Sequence, residues 1–464
     1  MEQVHKLPGK ENNDRGQMKW NRLGKGYRKF QLSLSPQQNL LYGFLMYTSI
    51  GWLLLCLPFL HKQPVSMMDN LFIATSAIST TGLVTVSIFD TYNWFGQFVI
   101  LLLFQIGGIG YMTFTSYVLL SKKSHLTHWH QRVLNAEFSM PKGFQIRDFL
   151  KSVIIFTIII EAVGALCLYI AFTRSGEEPA FAVWSSIFHS VSAFCTAGFG
   201  LYNDSFEQFS GNAFVSGTLS VLSISGSLGF IVVTDFWNRL TGKTKTITYT
   251  TKTIFGVITL LLVTGTALIY WFEPSIRQVG EDRLLVSFFQ AMSALTTVGF
   301  NTVPIGDFSL ALLLVTIFLM YIGASPSGTG GGLKSTTFTA LLAIMWSRIR
   351  NNRQVTLFGK IIPQERLYVA TSAFILYASL IFIATFLLAF TENFPLHQIL
   401  FEVTSAIGTV GLSTGITGEL TFWGKFIVVF VMFTGRLGVL TFGLAILARR
   451  KLTETRKDET DLAV

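Results

Sequence analysis

"SALTTVGF" (293–300) decides how this chain must be read, because it occurs four times in near-copy. The others are "SAISTTGL" (76–83), "SAFCTAGF" (192–199) and "SAIGTVGL" (405–412). All follow Ser-Ala-apolar-x-Thr-x-Gly-apolar, and Gly82, Gly198, Gly299 and Gly411 stand 116, 101 and 112 residues apart. Repetition at such a period marks a chain assembled from copies of one structural unit.

Working outward from each octamer gives that unit. A long apolar run comes first, at about 38–60, 151–172, 251–272 and 367–390. A shorter helix-like run then leads into the octamer, at about 67–79, 182–195, 284–297 and 397–408. At 1.5 Å per residue it reaches roughly 20 Å, too short for a hydrocarbon core of about 30 Å. A second long run follows, at about 96–120, 213–236, 308–348 with an interruption, and 424–448. The expected fold is therefore an all-α polytopic membrane protein of four tandem span–pore-loop–span repeats, all in one orientation. Inverted repeats are not what the pattern gives.

Composition agrees. Half of the 464 residues are hydrophobic and only 13% are charged, against about 25% in an ordinary soluble domain. The net charge of +10 would suggest nucleic acid in a soluble protein, but its distribution follows the repeats. Of 35 Lys and Arg, 28 fall in 1–37, 121–151, 238–252, 347–366 and 449–457. Basic loops stay on the cytoplasmic side, so each unit returns to the side it left and both termini are expected there. This gives a basic N-terminal tail (1–37), repeats at 38–120, 151–237, 251–348 and 367–448, cytoplasmic loops at 121–150, 238–250 and 349–366, and a C-terminal tail (449–464). No cleavable signal peptide is expected, and Cys56, Cys167 and Cys195 read as small apolar packing residues.

The octamers have the chemistry of an ion filter. Non-helical backbone at membrane depth has to be buried in protein or line an aqueous path. Glycine lets carbonyls turn inward, and four such loops can ring a dehydrated cation with oxygens. The candidate ion-binding residues are Thr80, Thr81 and Gly82; Thr196, Ala197 and Gly198; Thr297, Val298 and Gly299; and Thr409, Val410 and Gly411. The threonines can add a hydroxyl oxygen or brace the loop, and the preceding half-helices aim their negative ends at the ion. No octamer holds a carboxylate, which suits a monovalent cation better than Ca²⁺ or Mg²⁺.

The second spans carry clusters of their own: "QIGGIGYMTF" (105–114), "ISGSLGFIVV" (224–233), "SGTGGGLKSTTF" (327–338) and "TGRLGVLTF" (434–442). Counted to Gly108, Gly226, Gly328 and Gly435, they follow the filter glycines by 26, 28, 29 and 24 residues. The third, within "GASPSGTGGGLKST" (323–336), is expanded, and Pro326 with Gly328 and Gly330–Gly332 prevents a continuous helix. It resembles a phosphate loop only at first sight, since Leu333 stands where the second glycine of that motif belongs. Its expected place is in the ion path below the filter. Gly323, Ser325, Pro326, Gly328, Gly330, Gly331, Gly332 and Lys334 are gate candidates, with a static kink as the other reading. Lys334 either anchors this loop or snorkels to the interface. Arg436, alone in an apolar run of the fourth repeat, is costly there. It raises a barrier to cations, tethers the loop through its carbonyls, or pairs with an acid, for which Glu161 and Glu402 are the weaker candidates.

With these four octamers and the 323–336 loop, the chain from about 36 to 450 resembles the Trk/Ktr/HKT superfamily of potassium transporters, most closely the KtrB-type membrane subunit. The resemblance implies a central pseudo-fourfold pore, selectivity glycines at Gly82, Gly198, Gly299 and Gly411, gating by the intramembrane loop, and a matching arginine at Arg436. Members with serine at the first selectivity position tend to pass sodium, so four glycines imply potassium. "AFCTAGF" departs from the expected Asn-rich second loop but keeps its glycine. Also implied are a homodimer and a cytoplasmic ring of RCK-type, nucleotide-binding regulatory subunits like KtrA or KtrC.

The expectation is then a potassium uptake protein of a bacterial plasma membrane, not an enzyme. It carries K⁺ at the filter, binds no cofactor, transition metal or nucleic acid, and is surrounded by the lipid bilayer. A sodium-selective or Na⁺-coupled carrier remains open, and a membrane ATPase using 323–336 is the distant rival. His125, His128 and His130 in "HLTHWH" lack a Cys or acidic co-ligand for a metal.

Overall fold

The computed structural model describes residues 34–110, 146–242, 244–277 and 280–447. The His125, His128 and His130 cluster, both tails and most of the loop at 121–150 lie outside the described residues.

Each repeat opens on a long helix: α1 (Pro36–Leu55), α4 (Ile146–Arg174), α8 (Tyr249–Phe272) and α12 (Gln364–Thr391). Among the described residues three helices, at Leu150–Arg174, Tyr249–Phe272 and Gln364–Thr391, are individually long and apolar enough to cross a membrane. Sequence explains where they begin. Ser35 forms a reciprocal capping box with Gln38, followed by Pro36 in the first turn. The Thr248 side chain caps α8 by accepting from Thr251 N–H.

The half-helices follow as α2 (Met67–Ile78), α5 (Pro179–Phe194), α9 (Arg283–Thr296) and α13 (Leu396–Gly408). Their 12 to 16 residues span roughly 18–24 Å. Each packs against the long helix of its own repeat, and its last turns are buried on every side.

The second spans begin as α3 (Trp94–Ile109), α6 (Ala213–Leu228), α10 (Leu310–Tyr321) and α14 (Phe422–Leu437). Asn93, Asn212 and Thr421 cap three of them with their side chains. Buried carboxylates secure two of the same corners. Glu273 accepts from Ser309 N–H at 3.2 Å and Ser309 Oγ at 3.0 Å. Glu392 accepts from Thr421 N–H at 3.2 Å and Thr421 Oγ1 at 2.5 Å.

The structure corrects one expectation here. The sequence suggested an interruption in the third second span only, yet the second and fourth also break. α6 meets α7 (Phe230–Leu240) at 96°, and α14 meets α15 (Val439–Leu447) at 97°. The hinges are Gly229 and Gly438, with φ of 89° and 82°, and Gly110, which ends α3, has φ 90°. A side chain in that left-handed region is strained, so in repeats 1, 2 and 4 a cluster glycine ends the helix there. In repeat 3 the break widens to residues 322–334 before α11 (Ser335–Ile349).

Contacts between repeats run in one direction. α3 packs on α5, α6 on α9, α10 on α13, and α14 back on α2. The last pair is joined by an ion pair of 2.7 Å between Lys425 and Asp69. On the α11–α12 connection, β1 (Thr356–Leu357) and β2 (Lys360–Ile361) form a small antiparallel hairpin. Its turn residues Phe358 and Gly359 both have positive φ, the signature of a type I′ turn.

Candidate functional site

The repeated Ser-Ala-x-x-Thr frame is a helix-ending device. The serine carbonyl accepts an N–H five residues on: Thr81→Ser76 at 2.8 Å, Ala197→Ser192 at 2.8 Å, Val298→Ser293 at 3.1 Å and Val410→Ser405 at 2.9 Å. Three of the alanine carbonyls accept from the octamer threonine, at 2.9–3.1 Å for Thr80, Thr196 and Thr409. In two repeats the serine hydroxyl also accepts the octamer glycine's N–H, for Gly82 and Gly411 at 3.1 Å. Ser293 Oγ holds the third loop differently, donating to the Phe300 carbonyl at 2.6 Å.

This closure forces the threonines into the left-handed region, with φ of 51°, 49°, 60° and 49° at Thr80, Thr196, Thr297 and Thr409. A β-branched residue there is a genuine outlier, at roughly 1–3 kcal/mol each. Sequence inspection assigned the unusual backbone to the glycines alone. Gly82, Gly198, Gly299 and Gly411 do have positive φ, from 68° to 93°, and space excludes a side chain a second time. A Cβ on Gly82 would strike the Ala197 carbonyl, one on Gly198 that of Val298, one on Gly299 that of Val410, and one on Gly411 that of Thr81. The succession runs through all four repeats and returns to the first.

The glycine run lies against this ring of loops. Thr196 Oγ1 donates to Thr329 Oγ1 at 3.2 Å, and Thr80 Oγ1 approaches the Thr329 carbonyl at 3.5 Å. Gly331 N–H donates to Thr297 Oγ1 at 3.1 Å. Any Cβ on Gly331 would collide with Thr409 Oγ1. Thr329–Gly331 thus touches all four octamer threonines. Thr329 was not singled out by sequence, where the glycines around it drew attention; a lone hydroxyl residue at the centre of the run was the available signal.

The run is pinned from several sides. Thr329 N–H donates to the Gly226 carbonyl at 3.1 Å and Thr329 Oγ1 to the Phe194 carbonyl at 3.0 Å. Ser325 N–H donates to the Ser227 carbonyl at 3.0 Å, and Phe230 N–H to the Ser327 carbonyl at 3.1 Å. These bonds satisfy backbone groups exposed by the break between α6 and α7. Ser325 Oγ also lies 3.3 Å from Ser335 Oγ, across the base of the loop. Gly323 packs its Cα against Gly331 and Gly332, the latter at φ 74°, and the Pro326 carbonyl abuts Gly229. Gly328 N–H donates to the Ser325 carbonyl at 3.1 Å. The amides of Ser325, Gly328, Thr329 and Gly331 are therefore occupied by protein acceptors. Lys334 Nζ donates to the Gly330 carbonyl at 2.8 Å, a bond within the run itself.

Arg436 donates to the Thr329 carbonyl through Nη1, and through Nη2 to the carbonyls of Gly107 and, at 3.3 Å, Gly108. Of the two acids considered for it, Glu161 accepts from Gln105 Nε2 at 3.1 Å, and Cys195 Sγ donates to Gln105 Oε1 at 3.3 Å. Glu402 accepts from Ser413 Oγ at 2.9 Å and from the Thr417 hydroxyl. The packing also adjusts the alignment of the clusters. Gly107, Gly226 and Gly435 each press on the carbonyl of the third octamer residue in their own repeat, Ile78, Phe194 and Ile407. Gly107, rather than Gly108, is the counterpart in repeat 1. Beside the run lies a cavity of about 310 Å³, bordered by Phe44, Ile78, Lys334, Tyr377 and Arg436.

Long apolar helices, half-length helices and glycine loops buried between them define a helical membrane transporter. A family model described as TrkH, a cation transport protein, matches residues 35–457, and the chain belongs to that family. The potassium/sodium uptake protein NtpJ of Enterococcus hirae is 33% identical over 437 residues, covering 92% of this chain and 96% of that protein. The Ktr system potassium uptake protein B of Bacillus subtilis is 33% identical over 421 residues, with 88% and 92% covered. The protein of the same name from Vibrio alginolyticus is 34% identical over 396 residues, covering 84% and 86%. The crystal structure of the potassium transporter TrkH from Vibrio parahaemolyticus superposes with a TM-score of 0.71 at 18% identity, over 89% of this chain and 85% of that one. The protein is accordingly a transporter and not an enzyme.

Proposed function

We propose that this chain takes up potassium across a bacterial plasma membrane through one central pore, around which its four repeats stand in pseudo-fourfold order. The observation that carries the proposal is the closed succession of glycines, each filter glycine abutting the carbonyl before the next. Such a ring supplies neutral oxygens in place of a hydration shell, at the negative ends of four half-helices. The filter residues are then Thr80, Thr81 and Gly82 with their counterparts through Gly411.

The 323–336 loop is the gate, and its contacts with the octamer threonines describe a closed pore. Arg436 and Lys334 hold it from the cytoplasmic side, where the basic loops keep both termini. Opening needs an external pull, which the relatives named Ktr system uptake proteins suggest comes from another component of such a system. A homodimer on a nucleotide-binding RCK-type ring fits that requirement.

A second reading is favoured by the relative named for potassium and sodium uptake: the same pore also accepts Na⁺ or couples to it. Growth of an uptake-deficient bacterium on limiting potassium, with ⁸⁶Rb⁺ and ²²Na⁺ flux, tests both. Rescue with Rb⁺ flux that excess Na⁺ leaves unaffected supports the potassium pore. Flux that requires Na⁺ supports the second reading, and no flux of either ion sinks both.

A further inference from the structure

Nine residues before the filter glycines, the half-helices carry Ile73, His189, Gln290 and Glu402. All four side chains are buried, at 0–2% exposure. Three are polar, and each reaches across to the segment that leaves its own filter loop. His189 Nε2 accepts from Leu201 N–H at 3.0 Å, and Nδ1 lies 2.8 Å from the Ser185 carbonyl. That pair of contacts assigns the ring proton to Nδ1. Gln290 Nε2 donates to Thr302 Oγ1 at 3.1 Å. Glu402 accepts from Ser413 and Thr417, whose hydroxyls are themselves joined at 2.9 Å, and Ser413 Oγ accepts from Gly415 N–H at 2.9 Å.

The targets share a register. Leu201, Thr302 and Ser413 stand three, three and two residues after Gly198, Gly299 and Gly411. An imidazole, an amide and a carboxylate thus make the same connection from the same position. An apolar side chain would fill this space at lower desolvation cost, as Ile73 does in repeat 1.

We propose that His189, Gln290 and Glu402 are positioning residues that clamp the outer limb of three filter loops and thereby set the discrimination of K⁺ from Na⁺. The inference rests on the filter reading above. Filter oxygens favour the larger ion only while their loops resist closing on the smaller one. A bond from this half-helix position to the outgoing segment supplies that resistance, and Ile73 cannot make one to the first loop. Glu402 has the most extended network and bears the largest share.

The test uses the full chain in proteoliposomes, reading ⁸⁶Rb⁺ uptake against competing K⁺ and Na⁺. Glu402→Leu removes the carboxylate that accepts from the Ser413 and Thr417 hydroxyls and should lower the K⁺-over-Na⁺ preference about tenfold. Glu402→Gln can still bond both hydroxyls and should remain within about threefold of the parent. Gln290→Leu, at a side chain whose Oε1 has no partner among the described residues, should shift preference the same way by about threefold, and it serves if Glu402→Leu does not fold. Monodisperse Glu402→Leu and Gln290→Leu proteins with parental preference would overturn the proposal. Gly299→Ser in the same assay separates the two levels. If it relaxes preference while the brace variants do not, the braces alone fail; if it too has no effect, the filter reading fails with them.

Discussion

Replacing Arg436 by glutamine should open the pore without any partner subunit, and the structure bounds by how much. The guanidinium holds three carbonyls, those of Thr329, Gly107 and Gly108. Only Thr329 belongs to the gate loop; the other two fix the side chain to repeat 1. One hydrogen bond from a charged donor is therefore lost when the loop leaves, worth about 1.5–3 kcal/mol. That corresponds to about 10- to 150-fold in the closed-to-open ratio. Thr329 keeps its bonds to Gly226 and Phe194, so the loop loosens without being set free. Partner-free ⁸⁶Rb⁺ uptake into proteoliposomes should rise within that range. A positive charge in the ion path would give the same sign by simple repulsion, and Arg436→Lys separates the causes. It keeps the charge but loses the fork that spans repeat 1 and the loop, so a tether predicts uptake close to the glutamine variant and a barrier predicts parental uptake. Glutamine protein that elutes normally yet conducts no better than the parent would refute both.

The other expectations concern filter, gate and frame. Gly299→Ser adds a Cβ that meets the Val410 carbonyl at φ 83°, so competition flux should show a weaker preference for K⁺ over Na⁺. Deleting Gly328–Gly332 removes the segment under the octamers and should raise partner-free ⁸⁶Rb⁺ uptake; a fall in uptake with normal folding counts against a gate. Lys425→Met breaks the ion pair to Asp69 that links repeat 4 to repeat 1. It should cost about 1 kcal/mol or less, seen as a small drop in the thermal midpoint in detergent with ion preference unchanged.

What could be read from the sequence depended on how narrowly physics constrains each residue type. The octamer glycines were legible because no side chain fits beside a neighbouring carbonyl, so the same letter stands in every copy. The half-helices were legible through their length. The breaks at Gly229 and Gly438 were not, because membrane helices tolerate glycine and nothing in "LGF" or "LGV" distinguishes a hinge from a packing site. Arg436 announced itself as a charge in an apolar run, while its partners are backbone carbonyls that leave no trace in composition. The braces behind the filter were hidden for the opposite reason. One geometric task is performed by histidine, glutamine and glutamate, so no repeated letter marked it until the contacts aligned the copies.

The octamer threonines join these observations. Each holds a left-handed backbone that glycine would adopt with less strain, and each lies against the gate loop. A chain concerned only with turning a half-helix into a loop would place glycine there. Threonine instead presents a hydroxyl on the underside of the ring, with a methyl group to fill the space behind it. In the closed arrangement three of these hydroxyls meet Thr329 or Gly331, while Thr409 Oγ1 has no partner among the described residues. On the proposed reading of filter and gate, withdrawal of the loop would release the contacts of Thr80, Thr196 and Thr297 with it and leave hydroxyl oxygens facing the ion, Thr196 keeping its bond to the Cys195 carbonyl. If the proposed filter and gate hold, the strain belongs to a surface that closes on the loop in one state and receives the cation in the other. Such a dual use would account for the threonine repeating as strictly as the glycine two residues later.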